Sequence, residues 1–464
     1  MPETPPPSSL FPLPSTDTIA ALATPPGRGA IAIVRLSGLQ ANAIAARLLR
    51  PWPAQLRVAT LCEVHSPGGE RLDQAIVTRY EGPRSFTGED VVEIACHGGS
   101  VVPTSVVGAL LEAGAREALP GEFTRRAVLN GKLDVLQAEA VGDLIDARSR
   151  GGQRVALNQL DGGLSRRILS LRESLLELEA LIAYDIDFPE EDDGPIAPQR
   201  VMAAADRTLA ALGDLLATAR TGELVREGAL VVIAGAPNVG KSSLFNALLG
   251  RRRAIVTELP GTTRDALEAV IDTGSWPIRL VDTAGLRETT DTVERLGIEV
   301  SEEYLARADV VLACGDDAQT LARALDAVAR CTDAPVLPVR TKMDRVERQR
   351  SGVEEVPGAI GVSAETGQGL SGLVAAIVGL LSADHRTPPA LDAPLLTRTR
   401  HCVAVQQARD ELAAFCAAWS AAELPAPVTA VHLRAAVNAL EELIGAVDVE
   451  EVLERVFSSF CVGK

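Results

Sequence analysis

The stretch Leu230-Val-Val-Ile-Ala-Gly235-Ala-Pro-Asn-Val-Gly240-Lys241-Ser242-Ser243 decides the fold of the central part of this chain. An apolar run breaks into a glycine-bounded loop, and Leu244-Phe245-Asn246-Ala247-Leu248-Leu249 then resumes the apolar pattern. That order predicts a strand, a phosphate-cradling loop and a helix. The glycines let the backbone turn so that its N–H groups converge on phosphate oxygens. Lys241 is placed to reach the β and γ phosphates and the Ser242 hydroxyl to ligate Mg²⁺. The helix that follows offers its N-terminal dipole to the same anion.

Further strings turn a nucleotide loop into a GTP site. Arg279-Leu280-Val281-Asp282-Thr283-Ala284-Gly285 reads as a buried strand ending in an aspartate, where an outer ligand for Mg²⁺ is needed, with Gly285 free to approach the γ-phosphate. Between the two lies Gly261-Thr262-Thr263-Arg264-Asp265, which offers a threonine as the mobile Mg²⁺ ligand of a switch loop. Downstream, Val336 to Arg340 leads into Thr341-Lys342-Met343-Asp344, and Ile360-Gly361-Val362-Ser363-Ala364 follows. A carboxylate accepts both the N1–H and the exocyclic amine of guanine but would face the N1 lone pair of adenine, so Asp344 selects GTP over ATP. Each string alone fits an ordinary strand-to-loop exit; four in this order do not. Thr341 departs from the Asn usual at its position, which predicts weaker base affinity with Asp344 still setting base identity.

The position after the D-x-x-G motif, where many small GTPases carry a water-orienting glutamine, is Leu286. Hydrolysis therefore needs another device. The residues offer Glu288 and Glu294 downstream in the switch, and a monovalent cation in place of an arginine finger. Asn238, beside the β-phosphate and joined by switch-loop carbonyls, can hold such a cation. On spacing alone Asn238 is equally a loop-capping side chain, and Glu294 reads first as a solvated helical residue.

At 464 residues the chain is too long for one core, and two to four domains are expected. A formal net charge of −17 excludes a dominant nonspecific polyanion-binding surface, although local basic patches or a basic partner leave RNA open as a substrate. Arg251-Arg252-Arg253 is one such patch, equally read as solvated charge at a helix C-terminus. The 7 cysteines show no paired C-x-x-C spacing, which points to a reducing cytosol. Residues 1–15 read as a disordered proline-rich tail without the features of a signal peptide. No apolar run approaches the ~20 residues of a spanning helix, so a soluble, cytoplasmic protein with no membrane partner is expected.

Residues 16–130 mix short β-rich runs (Gly29–Arg35, Gln74–Arg79, Asp90–Ala95) with helical stretches such as Val102–Ala113, an α+β domain. From 131 to 225 the pattern is helical, with Leu164, Ile168, Leu171, Leu175, Leu178 and Ile182 on one face and an end at Phe188-Pro189. Alternating strands and helices place the GTPase domain at 226–380. The second helical segment, 381–464, opens with a linker around His385-Arg-Thr-Pro-Pro389 and continues as a final helical stretch with Leu433, Ala436, Val437, Leu440, Leu443 and Ile444 on one face. Helices on both sides of the GTPase module predict one discontinuous helical domain into which the module is inserted. The fold class is multidomain α/β.

The chain as a whole resembles the MnmE (TrmE) family of tRNA-modification GTPases. Besides the nucleotide motifs, the resemblance is carried by Ala23-Thr-Pro-Pro-Gly-Arg-Gly29, Ser85-Phe-Thr-Gly-Glu-Asp90 with His97-Gly-Gly99, and Pro120-Gly-Glu-Phe123. Asn130-Gly-Lys-Leu-Asp134 with Gln137-Ala-Glu-Ala140 and the terminal Phe460-Cys461-Val462-Gly463-Lys464 complete it. The resemblance implies an N-terminal domain that dimerises and binds a one-carbon tetrahydrofolate, in the 5-formyl or methylene form. It implies a flavoprotein partner, MnmG (GidA), in a heterotetramer, and an aminomethyl or carboxymethylaminomethyl group added to C5 of the tRNA wobble uridine. It also implies potassium-stimulated GTP hydrolysis.

Carried over residue by residue, the folate contacts fall on Arg35, Glu93, Lys132 and Lys464. The K⁺ ligands fall on Asn238, Thr257, Leu259 and Thr262, and the Mg²⁺ ligands on Ser242 and Thr263. The catalytic glutamate falls on Glu294, which reverses the residue-only reading. The GTP-contacting set becomes Asn238, Val239, Gly240, Lys241, Ser242 and Ser243 in the loop, with Thr257, Glu258, Leu259, Pro260, Gly261, Thr262 and Thr263 in the switch. Asp282, Thr283, Ala284, Gly285, Thr341, Lys342, Asp344, Ser363 and Ala364 complete it. Read as chemistry, Arg35 and Lys132 suit the carboxylates or other polar edges of a folate, and Glu93 suits pterin donors. From its residues alone, Arg35 reads as a solvated strand-end arginine and Cys461 as a small buried hydrophobe beside Phe460. A GTP-binding switch in ribosome assembly would share the nucleotide motifs, but it calls for an RNA-binding module and basic charge.

Overall fold

In the computed structural model the described residues are 17–187, 198–251, 254–255, 267–274, 277–282, 303–346, 356–384, 392–421, 426–445, 460 and 463. They fall into two compact units. One gathers the residues up to Gly142 with Ile168–Glu179 and those from Ala430 onward; the other holds Asp143–Arg167 and those of Ala180–Thr429.

The first unit is built on a seven-stranded sheet, β3-β4-β5-β6-β2-β1-β7. Its strands are β1 (Ile19–Leu22), β2 (Ile31–Ser37), β3 (Leu49–Arg50), β4 (Thr60–His65), β5 (Arg71–Tyr80), β6 (Val91–His97) and β7 (Arg116–Glu117). Every pairing is antiparallel except β1 with β7. The main core lies on one face, and a small buried cluster of Ile19, Ala21, Ala118 and Phe123 lies on the other at β1. In the main core Val34, Leu36, Val64, Val77, Val92 and Ile94 pack against Ile44 and Leu48 of the helix Ala41–Leu48 and Val106 and Leu110 of the helix Val102–Glu112. Period-two alternation leaves Leu61 and Ile76, which are cross-strand partners, 55% and 41% exposed on the face opposite the main core. Within this unit, residues of the long helix Gly163–Asp187 meet the helix Ala426–Ile444 through Arg172–Glu441 and Arg434–Glu179 ion pairs. Ile168, Leu171, Leu175 and Leu178 of the first and Leu433, Ala436, Val437, Leu440 and Leu443 of the second are buried, at the spacing read from the sequence.

The second unit carries a mixed sheet in the order β14-β13-β12-β8-β11-β10-β9. These strands are β8 (Ala229–Gly235), β9 (Ala254–Ile255), β10 (Leu267–Asp272), β11 (Pro277–Asp282), β12 (Val310–Gly315), β13 (Val336–Arg340) and β14 (Ile360–Gly361). β14, β13, β12, β8 and β11 run parallel, and β10 and β9 add antiparallel strands at one edge. Both faces of β8 are covered, which explains its unbroken apolar run. Val231 and Ile233 face one core with Leu244, Leu248, Leu373 and Ile377, and Leu230 and Val232 face another with Leu305, Ala324 and Val328. β11 lies on one side of β8 and β12 on the other, so the loop leaving β8 opens at the point where strand order reverses, the ligand crevice of open α/β sheets. Asp317 caps the helix Ala318–Val328 in a reciprocal capping box with Thr320, fixing the exit of β12. Elsewhere in this unit the helices Pro198–Leu216 and Thr399–Ala421 pack together. Among the described residues no helix is long and apolar enough to cross a membrane.

Candidate functional site

The loop between β8 and the helix Lys241–Arg251 has the backbone that its residues require. Gly235 (φ +150°) passes so close to β12 that a Cβ there would lie 2.4 Å from the Cys314 carbonyl oxygen, and Gly240 has φ +100°. Asn238 takes a left-handed φ of 63°, the strained conformation that asparagine tolerates better than most residues, and stays exposed. Lys241 is buried, its Nζ donating to the carbonyls of Gly235 and Ala236 at 2.9 Å each. The loop is thus folded around an ammonium group. Ser242 and Ser243 are exposed on the first turn of the helix, and Asp282 is fully buried at the end of β11, alongside Ile233 in the parallel register.

A cavity of about 140 Å³ is lined by Gly240, Ser243, Leu244, Thr341, Lys342, Asp344, Arg345, Val362, Ala364 and Glu365, and so includes the residues expected from the sequence to meet the base. It joins the phosphate loop to the two downstream strings. Ser363, buried after β14, donates from Oγ to Asp344 Oδ1 at 2.8 Å, and that bond holds the Asp344 carboxyl below the usual carboxylate range. The ionised carboxylate can therefore accept N–H donors from a group in the cavity. Thr341 Oγ1 donates to the Val239 carbonyl at 2.5 Å, and Thr341 N donates to the Gly315 carbonyl at 2.9 Å. The threonine that stands in place of asparagine therefore still ties the base loop to the phosphate loop.

Lys342, also left-handed (φ 56°), donates from Nζ to the Asn238 carbonyl at 2.6 Å and to Asp316 Oδ2 at 2.8 Å. The Lys342 ammonium holds the Asp316 carboxyl below its ordinary range. Asp316 is the residue here that sequence reasoning missed. Its partner lies 26 positions away, and only the β12–β13 pairing brings the two together.

Several expected site residues lie outside the described residues. These are Thr257, Glu258, Leu259, Pro260, Gly261, Thr262 and Thr263 of the switch, Thr283, Ala284, Gly285, the two switch glutamates Glu288 and Glu294, and Cys461 and Lys464.

In the first unit Arg35 and Glu93 are direct cross-strand partners on β2 and β6. Arg35 donates to Glu93 Oε1 from Nε at 3.0 Å and from Nη2 at 2.8 Å, and its guanidinium stacks 5.1 Å from the Phe86 ring centroid and 5.6 Å from that of Phe123. Their side chains are 20% and 26% exposed. The reading of Arg35 as a solvated strand-end residue is thus corrected: it sits inside β2, half-buried and paired. Nearby, Tyr80 is pushed above the usual tyrosine range, by burial first and then by the Glu93 charge.

The Ser85–Asp90 stretch is held from several sides. Ser37 Oγ donates to Glu89 Oε2 at 2.8 Å and lies 2.7 Å from Thr87 Oγ1. Asn130 Nδ2 donates to the Thr87 carbonyl at 2.7 Å, and Lys132 Nζ donates to the Pro83 carbonyl at 3.0 Å. Lys132 thus reaches the loop that carries Phe86. Beneath it lies a network in which Arg126, its side chain only 7% exposed, binds Asp17 Oδ1 at 2.8 Å, Glu122 Oε1 at 3.0 Å and both Glu89 oxygens at 3.2 Å. Arg116 forks onto Glu122 at 2.7 and 3.1 Å. Gly463 (φ +95°) is buried against β1, where a Cβ would lie 2.1 Å from the Leu22 carbonyl oxygen.

The chain matches the family described as GTP-binding protein TrmE N-terminus over residues 18–132 and the MnmE helical domain family over residues 135–461. Full-length relatives include the tRNA modification GTPase MnmE of Heliobacterium modesticaldum, 44% identical with 97% of this chain and 99% of that one covered. The protein of the same name from Aquifex aeolicus is 39% identical, with 97% and 100% covered. A solved G domain of the T. maritima FeoB iron transporter is 26% identical over 33% of this chain and 98% of that one, at a TM-score of 0.25. The two family matches together run from residue 18 to 461, the second of them spanning the phosphate loop and its cavity, and full-length relatives share about two fifths of the sequence: the chain belongs to the MnmE (TrmE) family of tRNA modification GTPases.

Proposed function

We propose that this chain is a potassium-activated GTPase that works with an MnmG (GidA) flavoprotein to add an aminomethyl or carboxymethylaminomethyl group to C5 of the tRNA wobble uridine. Its family membership makes it a GTP hydrolase acting in tRNA modification. The observation that carries the reading is the cavity in which an ionised Asp344, oriented by Ser363, adjoins the phosphate loop.

The residues present fit the groups this activity requires. Lys241 exchanges the carbonyls of Gly235 and Ala236 for phosphate oxygens when GTP enters. Exposed Ser242, with Thr263, would hold Mg²⁺, which neutralises charge between the β and γ phosphates, and Asp282 is the buried carboxylate behind it. Exposed Asn238, with Thr257, Leu259 and Thr262, would hold K⁺, which supplies positive charge in place of an arginine finger. Glu294 is assigned to orient the attacking water. A one-carbon tetrahydrofolate, in the 5-formyl or methylene form, would supply the carbon unit and lie against Arg35, Glu93, Lys132 and Lys464. The half-open Arg35–Glu93 pair beside the Phe86 ring offers donors, an acceptor and a flat apolar wall to such a ring system.

The assignment extends to the organisation of the chain. We place a tail at 1–15, a folate-binding and dimerisation domain at 16–130, helical segments at 131–225 and 381–464, and the GTPase domain at 226–380. Exposed Leu61 and Ile76 on the open sheet face support a homodimer. The acidic balance fits reliance on MnmG for much of the tRNA contact, and the setting is the cytoplasm. The test is deletion of the gene followed by mass spectrometry of tRNA nucleosides. Loss of the C5-modified wobble uridine is expected; an unchanged wobble uridine would sink the modification reading and favour a GTP-binding switch in ribosome assembly.

A further inference from the structure

Two neighbouring residues at the end of β12 meet two neighbouring residues after β13, and both contacts continue into the phosphate loop. In the first, Thr341 joins the Gly315 carbonyl to the Val239 carbonyl: its N–H serves Gly315 at 2.9 Å and its Oγ1 serves Val239 at 2.5 Å. Oγ1 also lies 3.2 Å from the Gly315 carbonyl, but a hydroxyl has one proton, and the shorter contact takes it. In the second, Lys342 Nζ joins the Asp316 carboxylate at 2.8 Å to the Asn238 carbonyl at 2.6 Å. An asparagine at position 341 would bring two amide protons; threonine brings one, so the second contact carries more of the coupling.

We propose that Asp316 is a positioning residue for guanine-nucleotide binding, holding Lys342 across the phosphate loop so that the loop keeps its binding conformation. The proposal rests on the guanine-nucleotide reading of this pocket. Lysine is a compact charge on a flexible four-carbon stem, and one carbonyl is a weak restraint on it. Asp316 supplies the second restraint and is itself fixed. It sits between the last residue of β12 and the Asp317–Thr320 capping box, and Thr320 Oγ1 lies 3.3 Å from its Oδ1. Lys342 in turn grips the carbonyl of Asn238, the loop residue with left-handed backbone. Asp316 is not among the residues lining the cavity, whereas Lys342 is, so it acts through Lys342. Its loss therefore weakens guanosine and inosine nucleotides by the same factor, because it acts on the loop and not on the guanine 2-amine that Asp344 reads.

The test is a double-mutant cycle on the full chain, with dissociation constants for fluorescent GDP and IDP analogues. Asp316→Ala is expected to weaken both about fivefold, as suits a half-exposed ion pair that orders a loop. Lys342→Met is expected to weaken both at least as much, and the double variant to match Lys342→Met alone. Asp316→Asn, which keeps an oxygen acceptor but loses the charge, is expected to fall between wild type and Asp316→Ala, and it serves the cycle if the alanine variant does not fold. Wild-type affinity in the Asp316 variants, or additive losses in the double variant, would overturn the proposal. A wild-type chain that binds neither analogue would instead remove the guanine-nucleotide reading beneath it.

Discussion

Replacing Arg126 with methionine tests whether the buried ion network beneath the Ser85–Asp90 stretch sets the geometry of the Arg35–Glu93 site. Methionine keeps most of the stem's volume, so the change removes charge and hydrogen bonds with little loss of packing. In the native structure the two guanidinium groups of Arg116 and Arg126 serve three carboxylates, Asp17, Glu89 and Glu122. Without Arg126, Glu89 loses its bonds from that guanidinium, and Glu122 keeps Arg116 and the Leu119 N–H. Breaking a buried pair by removing one partner costs roughly 3–5 kcal/mol, and the contacts Glu122 retains put this case near 3. At about 2–4 °C per kcal/mol for a folding unit of this size, the corresponding transition should fall by about 6–12 °C at pH 7.

The assay is scanning calorimetry together with hydrogen exchange of the β2 and β6 amides, because a chain with two units does not unfold in one step. The pH dependence adds a signed check. Burial raises the Glu122 carboxyl, but the bonds from Arg116, the Leu119 N–H and Arg126 outweigh it, so its folded pKa lies below the ordinary value. A depressed carboxylate contributes stability that is complete above its unfolded pKa, about 4.3, and is lost as pH falls through the folded value. The gap between wild type and Arg126→Met should therefore narrow as pH falls below about 4. A midpoint within about 2 °C of wild type at pH 7, with β2 and β6 protection unchanged, would refute the assignment.

Three further outcomes follow from the nucleotide pocket. Asp344→Asn should weaken GDP binding on the order of a hundredfold, since two charge-assisted bonds to guanine are lost, and should improve xanthosine diphosphate binding, because the amide can donate to its 2-oxo group; competition against a fluorescent nucleotide reads both. Gly235→Ala should introduce about 1–3 kcal/mol of strain against the Cys314 carbonyl and lower nucleotide affinity, read by the same titration, whereas Gly250→Ala, with open space at its Cβ, should not. Thr341→Asn should tighten GDP about threefold to tenfold, because its two amide protons can serve the Val239 and Gly315 carbonyls together; an unchanged dissociation constant would dismiss the expected weakness of the native threonine.

The phosphate loop was legible because everything it needs is local. The apolar run of β8, two glycines and a following amphipathic helix lie within twenty-odd residues, and each residue type has one physical reason to be there. The buried faces of the helices Gly163–Asp187 and Ala426–Ile444 were legible for the same reason, since helical spacing carries them. What escaped depends on register. Nothing in the spacing of Arg35 and Glu93 says that they stand opposite each other on β2 and β6, so Arg35 read as a solvated strand end when it is half of a stacked ion pair. Asp316 and Lys342 are likewise joined by strand pairing, and Arg126 reaches Asp17 across 109 positions. Charges in such networks look like ordinary surface charges until the topology brings their partners within reach.

The most direct test of the account is steady-state GTP hydrolysis by the purified chain in potassium and in sodium buffers, with Glu294→Ala measured beside wild type. Turnover that rises in potassium over sodium and is lost in Glu294→Ala is the predicted result, and it would unite the Asn238 cation site with the assigned glutamate. Equal turnover in the two salts, or full activity in Glu294→Ala, would contradict the hydrolytic device assigned to this pocket.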